Sequence, residues 1–255
     1  MPHVSPRPSP RPLLVIPARL GASRLPGKPL ADIGGRPMIA HVLGRAQAAR
    51  MGPVVVATDD AAIAEAAERA GGRAVLTAPG HPSGTDRVAE AVALIDPDGE
   101  HDVVVNLQGD QPEIEPASLR AVLAPLADSA VDIATLAAPI SDERERQDAN
   151  VVKVVGAEAG PGRLRALYFT RADAPWGEGP SWRHIGVYAF RRAALARYVA
   201  LPPSRLEKRE RLEQLRALEA GLRIDVALVE NAWRGIDTPA DLAAARARMG
   251  KGLDR

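Results

Sequence analysis

Apolar residues along the chain fall into two patterns: short unbroken runs, and longer stretches where they recur every three or four positions. Leu13-Leu-Val-Ile, ended by Pro17 and a glycine-bearing turn, predicts a buried strand. Residues 18–36 then read as a long loop with glycines at 21, 27, 34 and 35. A loop of that length inside a compact domain is usually functional. Met38, Ile39, Val42, Leu43 and Ala46 have helical spacing, and Val54-Val-Val-Ala-Thr58 is a second buried strand. Asp59-Asp60 can cap a helix running to Ala70, Gly71-Gly72 ends it, and residues 74–77 form a third strand. Residues 84–95 read as a helix. A fourth strand over 102–107 ends in Gln108-Gly-Asp-Gln-Pro112. Strands alternating with helices predict a mostly parallel sheet covered by helices on both faces, which binds ligands outside its carboxyl edge.

The second half alternates less regularly. Strands are expected at 132–139, 151–155, 166–169, 184–190 and 224–229. A continuous helix is expected over 207–221, and a last helix over 239–249 with Thr238 as its cap. Residues 140–200 depart from the alternation and are expected to form a substrate subdomain inserted into the sheet. The first twelve residues, MPHVSPRPSPRP, cannot bury apolar surface and read as a disordered tail. Residues 13–250 are expected to form one domain in two parts, 13–130 and 131–235.

Composition narrows the function classes. With 33 Lys plus Arg against 32 Asp plus Glu, the net charge is +1. That balance argues against a dedicated nucleic-acid binder, which needs an excess of basic charge. The chain has no cysteine, so disulfides and thiolate metal sites are excluded. No run approaches the roughly 20 apolar residues of a membrane span, and a cytoplasmic protein is expected.

Candidate chemistry starts in the first loop. Arg19, Arg24 and Lys28 stand among glycines that let the backbone approach a polyanion. By charge alone a solvated surface loop is the better reading, and Pro29 after Gly27-Lys28 departs from the common P-loop pattern. Asp110 and Asp237 each follow a predicted strand in a tight turn. Two such carboxylates suit Mg²⁺, although aspartate is common in turns anyway. His184 and Tyr188 share one face of a strand, while Glu210, Glu213 and Gln214 cluster at helical spacing.

The order of residues says more than their types. Pro17-Ala-Arg…Ser23-Arg-Leu-Pro-Gly-Lys-Pro-Leu30 resembles the signature loop of the sugar cytidylyltransferases, in the form found in the 3-deoxy-manno-octulosonate cytidylyltransferase family. Ser83-Gly-Thr-Asp-Arg87, Gln108-Gly-Asp-Gln-Pro112, Phe169-Thr-Arg-Ala-Asp-Ala-Pro-Trp176, His184-Ile-Gly-Val-Tyr188, Leu212-Glu-Gln-Leu-Arg216 and Gly235-Ile-Asp-Thr-Pro239 resemble the same family in the same order. Asp86 stands where the family's segment usually has Glu.

The resemblance implies the Rossmann-like nucleotide-diphospho-sugar transferase fold, with a sugar-binding and dimerisation subdomain. It implies transfer of CMP from CTP to 3-deoxy-D-manno-octulosonate (Kdo), for lipopolysaccharide, by a homodimer. It also implies roles for particular residues. Arg19, Ser23, Arg24, Lys28, Ser83, Gly84, Thr85 and Gln108 would bind nucleotide. Asp110 and Asp237 would hold catalytic Mg²⁺, with Lys28 and Arg19 stabilising charge. Arg171, His184, Tyr188, Glu213 and Gln214 would bind the sugar acid. A related acceptor such as 8-amino-Kdo, or a non-catalytic nucleotide-binding relative, is the alternative.

Overall fold

The computed structural model describes residues 10–21, 25–231, 233 and 235–250. Eleven strands and nine α-helices are present among them. The N-terminal half runs β1 (Pro12–Ala18), β2 (Asp32–Ile33), β3 (Arg36–Pro37), α1 (Met38–Ala48), β4 (Val54–Thr58), α2 (Ala61–Arg69), β5 (Arg73–Leu76), α3 (Gly84–Ile95), β6 (Val103–Leu107) and α4 (Pro116–Ala121). The second half runs β7 (Ile133–Pro139), α5 (Glu143–Gln147), β8 (Lys153–Glu158), β9 (Arg163–Thr170), β10 (Trp182–Arg191), α6 (Arg192–Val199), α7 (Arg205–Glu210), α8 (Leu215–Glu219), β11 (Ile224–Leu228) and α9 (Pro239–Gly250).

Nine strands form one sheet in the order β5-β4-β1-β6-β10-β7-β11-β9-β8. The pairings set seven strands running one way, with β9 and β10 against them. The sheet is therefore mostly parallel in direction, as the alternation predicted. Residues 140–200 are inserted into it. They supply β8, β9 and β10, and β10 sits between β6 and β7. Its amino end lies at the edge where the parallel strands end, so His184 joins the loops that follow β1, β6 and β11 there.

Side chains on the two faces of β1 feed different cores: Leu14, Ile16 and Ala18 one, Leu13 and Val15 the other. That is the period-two consequence of a strand covered on both sides. Asp60 caps α2 by accepting from the amides of Ala62 and Ile63 at 2.9 and 3.1 Å. A third, small cluster packs Ile236, Leu242 and Ala245 against Ile33 and Met38. It docks the C-terminal helix beside the β2–β3 hairpin, and so carries the Asp237 turn to the first loop.

Two local expectations change. Pro12 already pairs with Val103 in β1, and the Arg11 amide donates to Asp102 Oδ1 at 2.7 Å. Ordered structure thus begins before residue 13, while residues 1–9 lie outside the described residues. The helix expected over 207–221 is broken: α7 ends at Glu210, capped by Arg211 in the left-handed region with φ 57°, and α8 starts only at Leu215. Tertiary contacts override the helical propensity. Arg216 reaches back to the Glu207 carboxylate at 2.9 Å and lies over the Tyr198 ring, while Glu213 is drawn inward to Thr85.

Candidate active site

Gly27, with φ 68°, turns the chain into a short 3₁₀ segment that opens at Lys28. This turn aims the Lys28 ammonium across the sheet edge. It donates to Asp110 Oδ2 at 2.8 Å and to Asp237 Oδ1 at 3.0 Å. Burial works against the charge on Lys28, but the two carboxylates outweigh it and hold its pKa above the ordinary lysine value. A cavity of about 280 Å³ beside this trio is lined by Arg19, Gly21, Lys28, Gln108, Asp110 and Asp237 among others. Arg19 is exposed at its rim. Ser23 and Arg24 lie outside the described residues.

The glycines flanking the aspartates have a steric reason. A Cβ on Gly109 would sit 3.0 Å from the Pro17 carbonyl oxygen. One on Gly235 would sit 3.2 Å from Gln111 Nε2 and 3.5 Å from the Asp110 carboxyl carbon. The Ile236 amide closes the approach by donating to the Asp110 carbonyl at 3.0 Å. Residues far apart in sequence therefore present two carboxylate oxygens within 3.0 Å of one nitrogen. This donor set fits Mg²⁺, which takes one or two carboxylates and completes its shell with water and phosphate oxygens. Among the described residues no cluster of three or more metal-ligating side chains exists.

A second cavity, about 400 Å³, shares Asp110 and Asp237 and extends to Asp148, Asn150, Arg183 and His184. Thr135 Oγ1 lies 3.0 Å from His184 Nε2 and donates its single proton to the Val187 carbonyl at 2.8 Å. His184 Nε2–H must therefore be the donor to Thr135, which leaves Nδ1 as an acceptor. Burial holds the His184 pKa down to about 3, so the ring is neutral. Tyr188 packs 5.4 Å from it, ring to ring, despite the irregular register between Ile185 and Tyr188. Burial, and then the neighbouring Glu213, push the Tyr188 phenol well above its ordinary value.

The structure brings the other expected residues together less directly. Arg171 donates from Nε to the Glu210 carbonyl at 2.8 Å and from Nη1 to the Ala149 carbonyl at 2.9 Å. Its Nη2 makes no hydrogen bond to another described residue. The Glu210 carboxylate accepts from Thr170 and from the Arg171 amide, at 2.8 and 2.9 Å. Glu213 and Gln214 do not share a helix face with Glu210, because the helix is broken between them. They line a narrow space of about 10 Å³, where Glu213 Oε2 and Gln214 Nε2 are buried without hydrogen-bond partners among the described residues. Burial raises the Glu213 pKa, against the Thr85 hydrogen bond that lowers it.

Thr85 is only 1% exposed, and its hydroxyl is committed inside the protein. It accepts from Asn106 Nδ2 and donates to Glu213 Oε1, both at 3.2 Å. Gln108 Nε2 donates to Asn106 Oδ1 at 3.1 Å, completing a chain from the first cavity to Glu213. A Cβ on Gly84 would lie 3.1 Å from Gln108 Oε1, so Gly84 makes room for that side chain. Ser83 caps α3 through the Asp86 amide at 3.2 Å. Sequence reasoning missed Asn106. The visible signal was one amide inside the apolar run Val103-Val-Val-Asn-Leu107.

A cytidylyltransferase family model matches residues 13–224. The chain belongs to the cytidylyltransferase family. The 3-deoxy-manno-octulosonate cytidylyltransferase of Methylobacterium radiotolerans is 65% identical to it over 238 residues, 93% of this chain and 96% of that one. The enzyme of the same name from Rhodospirillum centenum is 67% identical over 240 residues, 93% of each. Among solved structures, a CMP:2-keto-3-deoxy-manno-octonic acid synthetase complexed with CTP matches with a TM-score of 0.87 at 41% identity, covering 95% of this chain and 100% of that one. A 4-diphosphocytidyl-2C-methyl-D-erythritol synthase, TM-score 0.63 and 17% identical, shares the fold. This cytidylyltransferase is a nucleotidyltransferase enzyme with the Rossmann-like fold that its motifs implied. No described helix is long and apolar enough to cross a membrane.

Proposed function

We propose that this cytidylyltransferase transfers CMP from CTP to the anomeric hydroxyl of Kdo, releasing pyrophosphate and supplying an activated sugar for lipopolysaccharide. The observation that carries the reading is the Asp110–Lys28–Asp237 trio at the junction of two cavities. One cavity carries cations suited to a triphosphate; the other carries, beside Arg183, neutral and acidic hydrogen-bonding groups suited to a polyol.

Asp110 and Asp237 would hold Mg²⁺, which when bound neutralises phosphate charge and lowers the pKa of a hydroxyl beside it. Lys28 and Arg19, with Ser23 and Arg24 of the same loop, bind the triphosphate and stabilise charge on the leaving pyrophosphate. Ser83, Gly84 and Gln108 shape the nucleotide side, and Thr85 serves it from behind through Asn106. Arg171 Nη2 suits the acceptor carboxylate, and His184 Nδ1 suits a sugar hydroxyl. Tyr188 walls the site against water. Glu213 Oε2 and Gln214 Nε2 are buried without partners among the described residues, and acceptor hydroxyls would satisfy them. Residues 13–130 then serve mainly the nucleotide, and 131–235 mainly the acceptor and a homodimer contact in the cytoplasm. Sedimentation tests the dimer.

The decisive experiment is pyrophosphate release from CTP with Mg²⁺ and a panel of eight-carbon sugar acids. Turnover with Kdo is expected. Turnover only with 8-amino-Kdo would change the acceptor, and no turnover with any acid would overturn the reading.

A further inference from the structure

Lys153 opens β8 with a side chain that is 0% exposed. Lysine is almost never wholly buried without a paired anion, yet no carboxylate among the described residues reaches ion-pair distance of it. Its Nζ instead donates to three backbone carbonyls: Asp148 at 2.9 Å, Val151 at 2.7 Å and Arg171 at 2.9 Å. An ammonium has three donors and no acceptor, so this cradle uses it fully. Burial lowers its pKa, against nearby acidic groups that raise it.

The three carbonyls come from two separate segments. Asp148, Asn150 and Val151 line the cavity that also contains Asp110, Asp237 and His184. Arg171 is tied to the same turn a second time, through Nη1 and the Ala149 carbonyl. The Lys153 ammonium therefore joins the cavity wall to the backbone of the arginine beside it. A tie of backbone alone would need the two segments to pair as strands, and the β8–β9 ladder begins only at Lys153 and Thr170. Without the ammonium, the Val151 and Arg171 carbonyls lose a donor, the Asp148 carbonyl keeps the Val151 amide at 3.0 Å, and the turn loses its register against Arg171.

We propose that Lys153 is a positioning residue that sets the acceptor half of the site, holding the 148–151 turn and Arg171 in one geometry without touching substrate. The inference rests on the second cavity being the acceptor side. The test is Lys153→Met, which keeps the apolar stem and removes the donors. The KM for Kdo rises about tenfold or more, while the KM for CTP stays within about twofold. Amide hydrogen exchange at 148–152 accelerates in the same variant without substrate. A lowered melting temperature with both KM values unchanged, or an equal rise in both, would show a purely structural lysine and overturn the proposal. If Lys153→Met does not fold, Lys153→Gln, which retains amide donors, is measured in the same way. Wild-type protein inactive on every sugar acid would sink the proposed function, whereas the exchange measurement still tests the tie itself: unchanged exchange at 148–152 overturns it.

Discussion

Acidification should weaken this protein through His184 specifically. The ring is desolvated, donates to Thr135 and is neutral, with its pKa lowered to about 3 from the ordinary 6.5. In the unfolded chain the same imidazole takes a proton near 6.5. The folded state thus binds fewer protons between those two values, and stability falls as pH drops below 6.5 until about pH 3. Above 6.5 the group contributes no pH dependence. At pH 5 the full difference corresponds to about 2 kcal/mol. The ring edge reaches the open cavity, so solvent reduces this and about 1–2 kcal/mol is expected. Urea unfolding of wild type and His184→Gln at pH 7.5 and pH 5 isolates the effect, because carboxylates common to both proteins cancel in the double difference. The variant should lose about 1–2 kcal/mol less than wild type on acidification. Equal losses would refute the claim that this histidine is held neutral. A neutral imidazole also means His184 serves the site as a hydrogen-bonding group rather than a cation.

Asp110→Asn should lower turnover by about 10²-fold or more while leaving the fold intact, since a metal-holding carboxylate is lost but its shape is kept; near-normal kcat in a pyrophosphate-release assay would remove Asp110 from that role. Thr85→Val should cost about 1–3 kcal/mol in urea unfolding, because Asn106 Nδ2 and Glu213 Oε1 lose their shared partner. Thr85→Ser should regain most of it, and equal losses in both variants would point to packing instead. Gly52→Ala places a Cβ 2.1 Å from the Pro12 carbonyl oxygen and should destabilise by about 2 kcal/mol or more, read as a drop in melting temperature; an unchanged midpoint would mean the 51–53 turn yields freely.

Amino-acid order by itself determined the alternation of strands and helices, the long glycine-bearing loop after β1, and both aspartate turns. These are local properties: period two or 3.6 in apolar residues, and glycine where backbone must approach backbone. The motif order also placed the chain in its family. Tertiary structure decided who stands beside whom. Periodicity assigns a residue to a face and never names its neighbour, so the place at which residues 140–200 enter the sheet, with β10 between β6 and β7, was not legible. The break at Arg211 depends on Glu207, Tyr198 and Thr85, which lie on other segments, and helical spacing carried on through it. Thr85 reads as a nucleotide contact from its motif, and only the tertiary structure joins its hydroxyl to Asn106 and Glu213. Lys153 reads as an ordinary strand lysine until three carbonyls close around it. Likewise two aspartates in turns became one site only when the small cluster of Ile33, Met38, Ile236 and Leu242 docked the last helix and brought Asp237 to within 3.0 Å of Lys28.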